Sequence, residues 1–109
     1  MGNMKLSEAC EKAGITRRIL QGYEEAGLIQ AKGKNKRGYL LYDNKSIERM
    51  QKIRFYQEIG FSIKEIITII DAPNDVLKIA LINRVKIMEE RSEKLGALII
   101  KAKKVIKQL

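Results

Sequence analysis

Apolar positions change period several times along the chain, and each change marks an element. Leu6, Ala9, Cys10 and Ala13 share one face at helical spacing, with Ser7 as the candidate N-cap and Gly14 as the stop. After the turn Gly14-Ile15-Thr16, a second helix is predicted from Arg17 to Ala26, capped by Thr16 and ended by Gly27. Its inward side carries Ile19, Leu20, Tyr23 and Ala26, and its outward side Arg17, Arg18, Gln21, Gly22 and Glu25. Two short helices joined by so tight a turn have the dimensions of a helix-turn-helix.

Gln30 to Tyr42 reads as a two-stranded hairpin with its loop near Lys34–Gly38. Two strands alone are marginal, so this hairpin must lean on the helices. Asp43 or Asn44 then caps a helix ending at Gly60, its apolar stripe built from Ile47, Met50 and Ile53, with Arg54 and either Phe55 or Gln57 alongside. Ser62 and Glu65 form a capping box for a short helix whose face carries Ile63, Ile66, Ile67 and Ile70. Pro73, the sole proline, marks a boundary through its steric effect on Ala72. From Asn74 the pattern is one helix to Leu109, about 50 Å long at 1.5 Å per residue. The expected domains are residues 1–72 and 74–109.

The long helix carries a seam. Leu81, Val85, Met88, Ser92, Leu95, Ile99, Ala102, Ile106 and Leu109 alternate steps of four and three residues, with Ser92 the one polar member. That is an a/d heptad pattern, which argues for a coiled coil and places these nine residues at a homodimer interface. The competing reading packs the helix back on its own domain, which offers little surface for so long an element. The seam alone does not set parallel or antiparallel orientation.

Composition narrows the chemistry. In 109 residues there is no histidine and one cysteine, Cys10. This excludes an internal disulfide framework, a His-based catalytic triad and Cys/His metal sites of ordinary spacing. No Gly-rich phosphate loop or nucleophile elbow is present, so neither an enzyme nor a metal or other cofactor is expected. Cys10, on an apolar helix face, reads as a small core residue. No apolar run approaches the ~18 residues of a membrane span, and the N-terminus lacks a signal-peptide core, so the expected compartment is the cytoplasm with no membrane partner.

The net charge of +9 favours a polyanionic partner, double-stranded DNA first. Its distribution qualifies that inference, because residues 76–109 carry +6 and residues 1–75 only +3. The local signal is stronger: Lys32, Lys34, Lys36 and Arg37 fall within six positions, and no acid lies between Glu25 and Asp43. A cationic hairpin tip beside a helix-turn-helix is what a phosphate-tracking wing needs. The competing reading of this tip, taken by itself, is a solvated turn.

Gly22 raises a separate question. A mid-helix glycine costs about 1 kcal/mol relative to alanine. It lies on the outward face and leaves no core cavity. It is either a tolerated surface residue or a place where the helix backbone comes close to a groove.

The stretches "LSEACEKAGITRRILQGYEEAGLI" and "RGYLLYDNKSIERMQKIRFYQEIGFSIKEI" resemble the MerR family of bacterial transcription regulators. The resemblance runs from Lys5 to about Ile70 and rests on "ITRR", "YEEAGLI", "GYLLY" and "IGFSIKEI" in that order. It implies a mainly α fold: a winged helix-turn-helix DNA-binding domain with a two-stranded wing, then a long C-terminal helix forming an antiparallel coiled coil. It also implies a homodimeric regulator on a pseudo-palindromic promoter operator, bending and untwisting the DNA, with RNA polymerase as a further partner at the promoter. The sequence matches a short form without a ligand domain. Arg18 falls where the family has a backbone-contacting arginine, Tyr23 matches the second aromatic of its Arg-Tyr-Tyr-Glu run, and Arg37, Tyr39 and Tyr42 match its wing. Gln21 and Gly22 stand where the family commonly has arginine and tyrosine, and Leu40 replaces the arginine of Gly-Tyr-Arg-Leu-Tyr. The candidate DNA-facing set is therefore Thr16, Arg17, Arg18, Gln21, Gly22, Tyr23, Lys34, Lys36, Arg37, Tyr39 and Tyr42. Tyr23 is expected to pack first, with its hydroxyl reaching a phosphate at the rim. An architectural or recombination accessory protein and a coiled-coil adaptor are the alternatives. A basic amphipathic membrane binder fits Lys101–Lys107 but leaves the seam unexplained.

Overall fold

The structure, a computed structural model, describes residues 3–109. Chain contacts divide it into two units, one ending at Asp71 and the other Ala72–Leu109. The first, the head, runs β1 (Met4–Lys5), α1 (Leu6–Ala13), α2 (Arg17–Glu25), β2 (Gly33–Lys34), β3 (Leu40–Tyr42), α3 (Asn44–Glu58) and α4 (Ile63–Ile69). The second is a single helix, α5 (Asn74–Gln108).

Local chemistry sets the helix ends. The Thr16 hydroxyl accepts from the Ile19 N–H at 3.1 Å, and the Asp43 carboxylate accepts from the Ser46 N–H at 2.9 Å. Ser62 and Glu65 exchange the two bonds of a capping box. Gly14 closes α1 at φ 72° and Gly27 follows α2 at φ 76°, left-handed conformations that side chains resist.

Four expectations need correction. Ser7 does not cap α1. Met4 and Lys5 pair with Tyr42 and Leu41 as an edge strand that runs straight into the helix, so the N-cap is the extended Lys5, with no side-chain bond. The wing sheet therefore has three antiparallel strands in the order β1-β3-β2. On α3, Tyr56 is buried and meets Phe61 edge-on, with ring centroids 6.1 Å apart, while Phe55 is 53% exposed. On α4 the buried face is Ile66, Ile69 and Ile70, and Ile67 points outward. With isoleucine at five of eight positions from 63 to 70, its period is degenerate.

The head's core centres on Leu20, Tyr23, Tyr42, Met50, Ile53 and Ile66, its largest wholly buried side chains. Each contributes about 1.5–3 kcal/mol in area terms. Arg49 bolts the far end. Its Nε donates to the Leu28 carbonyl at 2.6 Å, and its two terminal nitrogens grip Asp71 at 2.8 and 2.9 Å. No residue of α5 is buried.

Candidate nucleic-acid interface

Two tyrosines from the candidate set hold α2 in place. The Tyr23 hydroxyl donates to Gln57 Oε1 on α3 at 2.6 Å. The Tyr42 hydroxyl donates to Glu24 Oε2 at 3.0 Å, tying β3 to the same helix. Burial pushes both phenols above the ordinary tyrosine range; for Tyr42 the Glu24 carboxylate adds to the effect, and for Tyr23 the neighbouring Arg54 charge opposes it. Neither hydroxyl is offered to solvent. Tyr23 packs into the head, as its place on the inward face of α2 led one to expect, and its hydroxyl bonds Gln57 inside the protein.

With its inner side fixed, α2 turns Arg17, Arg18, Gln21, Gly22 and Glu25 outward, all of them exposed, beginning at the Thr16 cap. Two recesses flank this row. One of about 320 Å³ brings Arg17 together with Lys5, Leu6 and the wing residues Gly38, Tyr39 and Leu40. There Lys5 Nζ lies 5.1 Å above the Tyr39 ring, a cation–π contact worth about 0.5–1 kcal/mol at an exposed site. The other, of about 200 Å³, brings Arg18 and Gly22 together with Arg54 and Gln57 of α3.

The wing tip is organised by Asn35, which sequence reasoning had passed over. Its Oδ1 accepts from the N–H groups of Arg37 and Tyr39 at 2.9 and 3.0 Å. Lys34, Lys36, Arg37 and Tyr39 are exposed on this hairpin. Lys32 is instead drawn to Asp43, at 4.0 Å. The hairpin is tied to α2 by the Tyr42–Glu24 bond. Lys5 and Arg54 line these recesses outside the candidate set; Arg54 had been read only as a neighbour of the α3 apolar stripe.

Cys10 is 5% exposed, packed in the core of the head, and burial raises its thiol pKa. Among the described residues no group of three or more metal-ligating side chains gathers, and no helix is long and apolar enough to cross a membrane.

The family model for MerR HTH family regulatory proteins matches residues 4–73, the whole of this arrangement. The chain belongs to the MerR family. It is 30% identical over 95 residues to the HTH-type transcriptional activator mta of Bacillus subtilis, covering 87% of this chain and 37% of that protein's length. The crystal structure of MtaN, the N-terminus of the Bacillus subtilis multidrug transporter activator, superposes with a TM-score of 0.74 at 28% identity, over 94% of this chain and 97% of that one. HiNmlR, a MerR family regulator lacking the sensor domain and solved bound to promoter DNA, shares the fold at a TM-score of 0.57 and 22% identity, over 96% and 79% of the two chains. The winged helix-turn-helix followed by a long helix is thus the MerR arrangement, with β1 as a third strand of the wing sheet.

Proposed function

We propose that this MerR chain is a DNA-binding transcriptional regulator that acts as a homodimer on a two-fold promoter site and distorts the DNA between its half-sites. The observation that carries the reading is the outward row of α2, which Tyr23 and Tyr42 lock from behind and recesses with cationic rims flank on both sides. A helix of this size enters the major groove, about 12 Å wide. There Gln21 is the side chain suited to a base edge, while Arg17 and Arg18 take phosphates on either side. Lys34, Lys36 and Arg37 extend the phosphate contacts along the backbone from the wing.

Dimerisation follows from α5. Val85, Met88, Leu95, Ile99, Ala102, Ile106 and Leu109 are exposed on the seam, with Leu81 half-covered and Ser92 exposed among them. A second copy laid along this seam removes that apolar surface from water and links two heads. Linked heads select paired half-sites, and a mismatch between those sites and relaxed DNA is met by deforming the duplex.

Selection of bound duplexes from a random pool, followed by footprinting, tests the proposal. The expected result is an inverted repeat protected over both half-sites. Recovery of no preferred sequence contradicts it.

A further inference from the structure

We infer that the recess between the α2–β2 connection and the first turns of α3 is a binding site for a small phosphate monoester, held by Lys32, Lys45 and Arg49. The inference does not depend on the DNA reading, because this recess shares no residue with either of those flanking the outward row of α2. It lies wholly within the head and includes Asp71, the last residue before the second unit.

The recess is about 300 Å³, at the small end of the range for metabolite-sized ligands. Three cations and one carboxylate, Asp71, line it, which leaves two positive charges in excess. The acids nearby do not cancel them. Asp71 is committed to Arg49 through bonds of 2.8 and 2.9 Å. Asp43, outside the lining, stands 4.0 Å from Lys32, and its carboxylate takes the Ser46 N–H. Lys45 has no acidic partner within 4 Å among the described residues. Glu48 borders a neighbouring recess with Lys45, Arg49 and Lys52, where cations again outnumber it.

A phosphate monoester carries close to two negative charges at neutral pH, which matches this excess, whereas a carboxylate brings one. The planar fork of arginine takes phosphate oxygens two at a time. Here the fork is preset, because the Arg49 Nε donates to the Leu28 carbonyl at 2.6 Å and fixes the plane of the group. Its terminal nitrogens rest on Asp71, whose side chain is 71% exposed, so the aspartate returns to water at little cost when a dianion arrives. Gln30, exposed at the rim, supplies an amide for a hydroxyl of the ester's organic part. Duplex DNA offers singly charged phosphates on a convex rim, a poorer match to a concave site for a dianion. The ester and Asp71 compete for one guanidinium. Since α5 begins at Asn74, occupancy unpins the short segment that leads into it.

The test is a titration of the isotope-labelled full chain with glycerol phosphate, inorganic phosphate and glycerol, followed by amide shifts in NMR at constant ionic strength. Saturable shifts are expected at Gln30, Lys32, Lys45, Ser46 and Asp71, with glycerol phosphate binding tighter than inorganic phosphate and glycerol giving none. Lys45→Gln is expected to weaken binding about threefold to fivefold, and Lys32→Gln with Lys45→Gln about tenfold. Both lysines are exposed, so these variants keep the fold. Asp71→Asn removes the competitor and is expected to tighten binding about threefold, while Glu48→Gln, an equal change of charge in the neighbouring recess, does less. Shifts that fail to saturate at tens of millimolar, or that respond to Lys36→Gln as much as to Lys45→Gln, mean diffuse attraction and overturn the site. Equal effects of Asp71→Asn and Glu48→Gln overturn the competition for Arg49. Inorganic phosphate binding as tightly as the ester overturns the ester assignment. Displacement of the ester by duplex DNA, with duplex affinity lost in Lys45→Gln, makes the recess part of a DNA interface and also sinks the proposal.

Discussion

The head and α5 differ in how their apolar residues are satisfied. In residues 3–71, Leu20, Tyr42, Met50, Ile53 and Ile66 are closed off by the same chain, and no buried side-chain polar atom among the described residues lacks a partner. In α5 nothing is buried, although Leu95, Leu98, Ile99, Ile100 and Ile106 are as apolar as anything in the core. The head is a complete fold on its own terms. The helix has an apolar pattern that one chain does not use, and an isolated helix draws little stability from propensity alone. That contrast is the physical case for a second copy.

The most severe way to break the contrast is to charge the seam. Leu95→Lys with Ile99→Lys is expected to give monomers in sedimentation, and operator affinity should fall by about 100-fold or more as the linkage between half-sites is lost. The head of this variant should keep its circular dichroism and its non-specific DNA affinity. Next in size, Ile53→Ala opens a cavity in the head and should cost about 2–5 kcal/mol in denaturant unfolding. If Ile53→Ala instead changed the oligomeric state first, the two regions would not be independent.

Smaller effects sharpen the comparison from inside the head. Asp43→Ala removes the α3 cap bond to Ser46 and should cost about 1 kcal/mol. Gly22→Ala should raise stability by about 0.5–1 kcal/mol, since the new methyl has open space and the helix loses a flexible residue. A measured loss of stability there would mean that position 22 is constrained in a way its surroundings do not reveal.

The smallest expected effect is the response to acid. The Ser46 N–H bond to Asp43 and the Arg49 guanidinium on Asp71 hold both carboxyls below the ordinary aspartate range. Their contribution is present above the unfolded value, near pH 4, and is lost as pH falls through the lowered folded values. Thermal melts from pH 5 to pH 2 should show this loss, and Asp43→Asn with Asp71→Asn should flatten it.

The punctuation of the fold was legible in the sequence. Thr16, Asp43 and Ser62 cap where their chemistry requires, and Gly14, Gly27 and Gly60 stop helices at the expected places. Missing were features whose signal is not local. Met4–Lys5 is too short to alternate and becomes a strand only because β3 lies beside it. The α4 face was misassigned because isoleucines line more than one side of it. Tyr23 and Tyr42 were placed at the DNA contact by resemblance, whereas their hydroxyl partners, Gln57 and Glu24, lie 34 and 18 residues away in sequence. A side chain that orients a helix and one that touches its ligand carry the same letter, and only distance separates them.

The central claim is that α5 belongs to a two-chain structure that presents two heads to one DNA site. Sedimentation equilibrium of the full chain at micromolar concentration, alone and with the selected duplex, tests it most directly. The account predicts the mass of two chains in solution and two chains per duplex when bound. A monomer whose α5 remains helical at tens of micromolar, binding its duplex one to one, would contradict it.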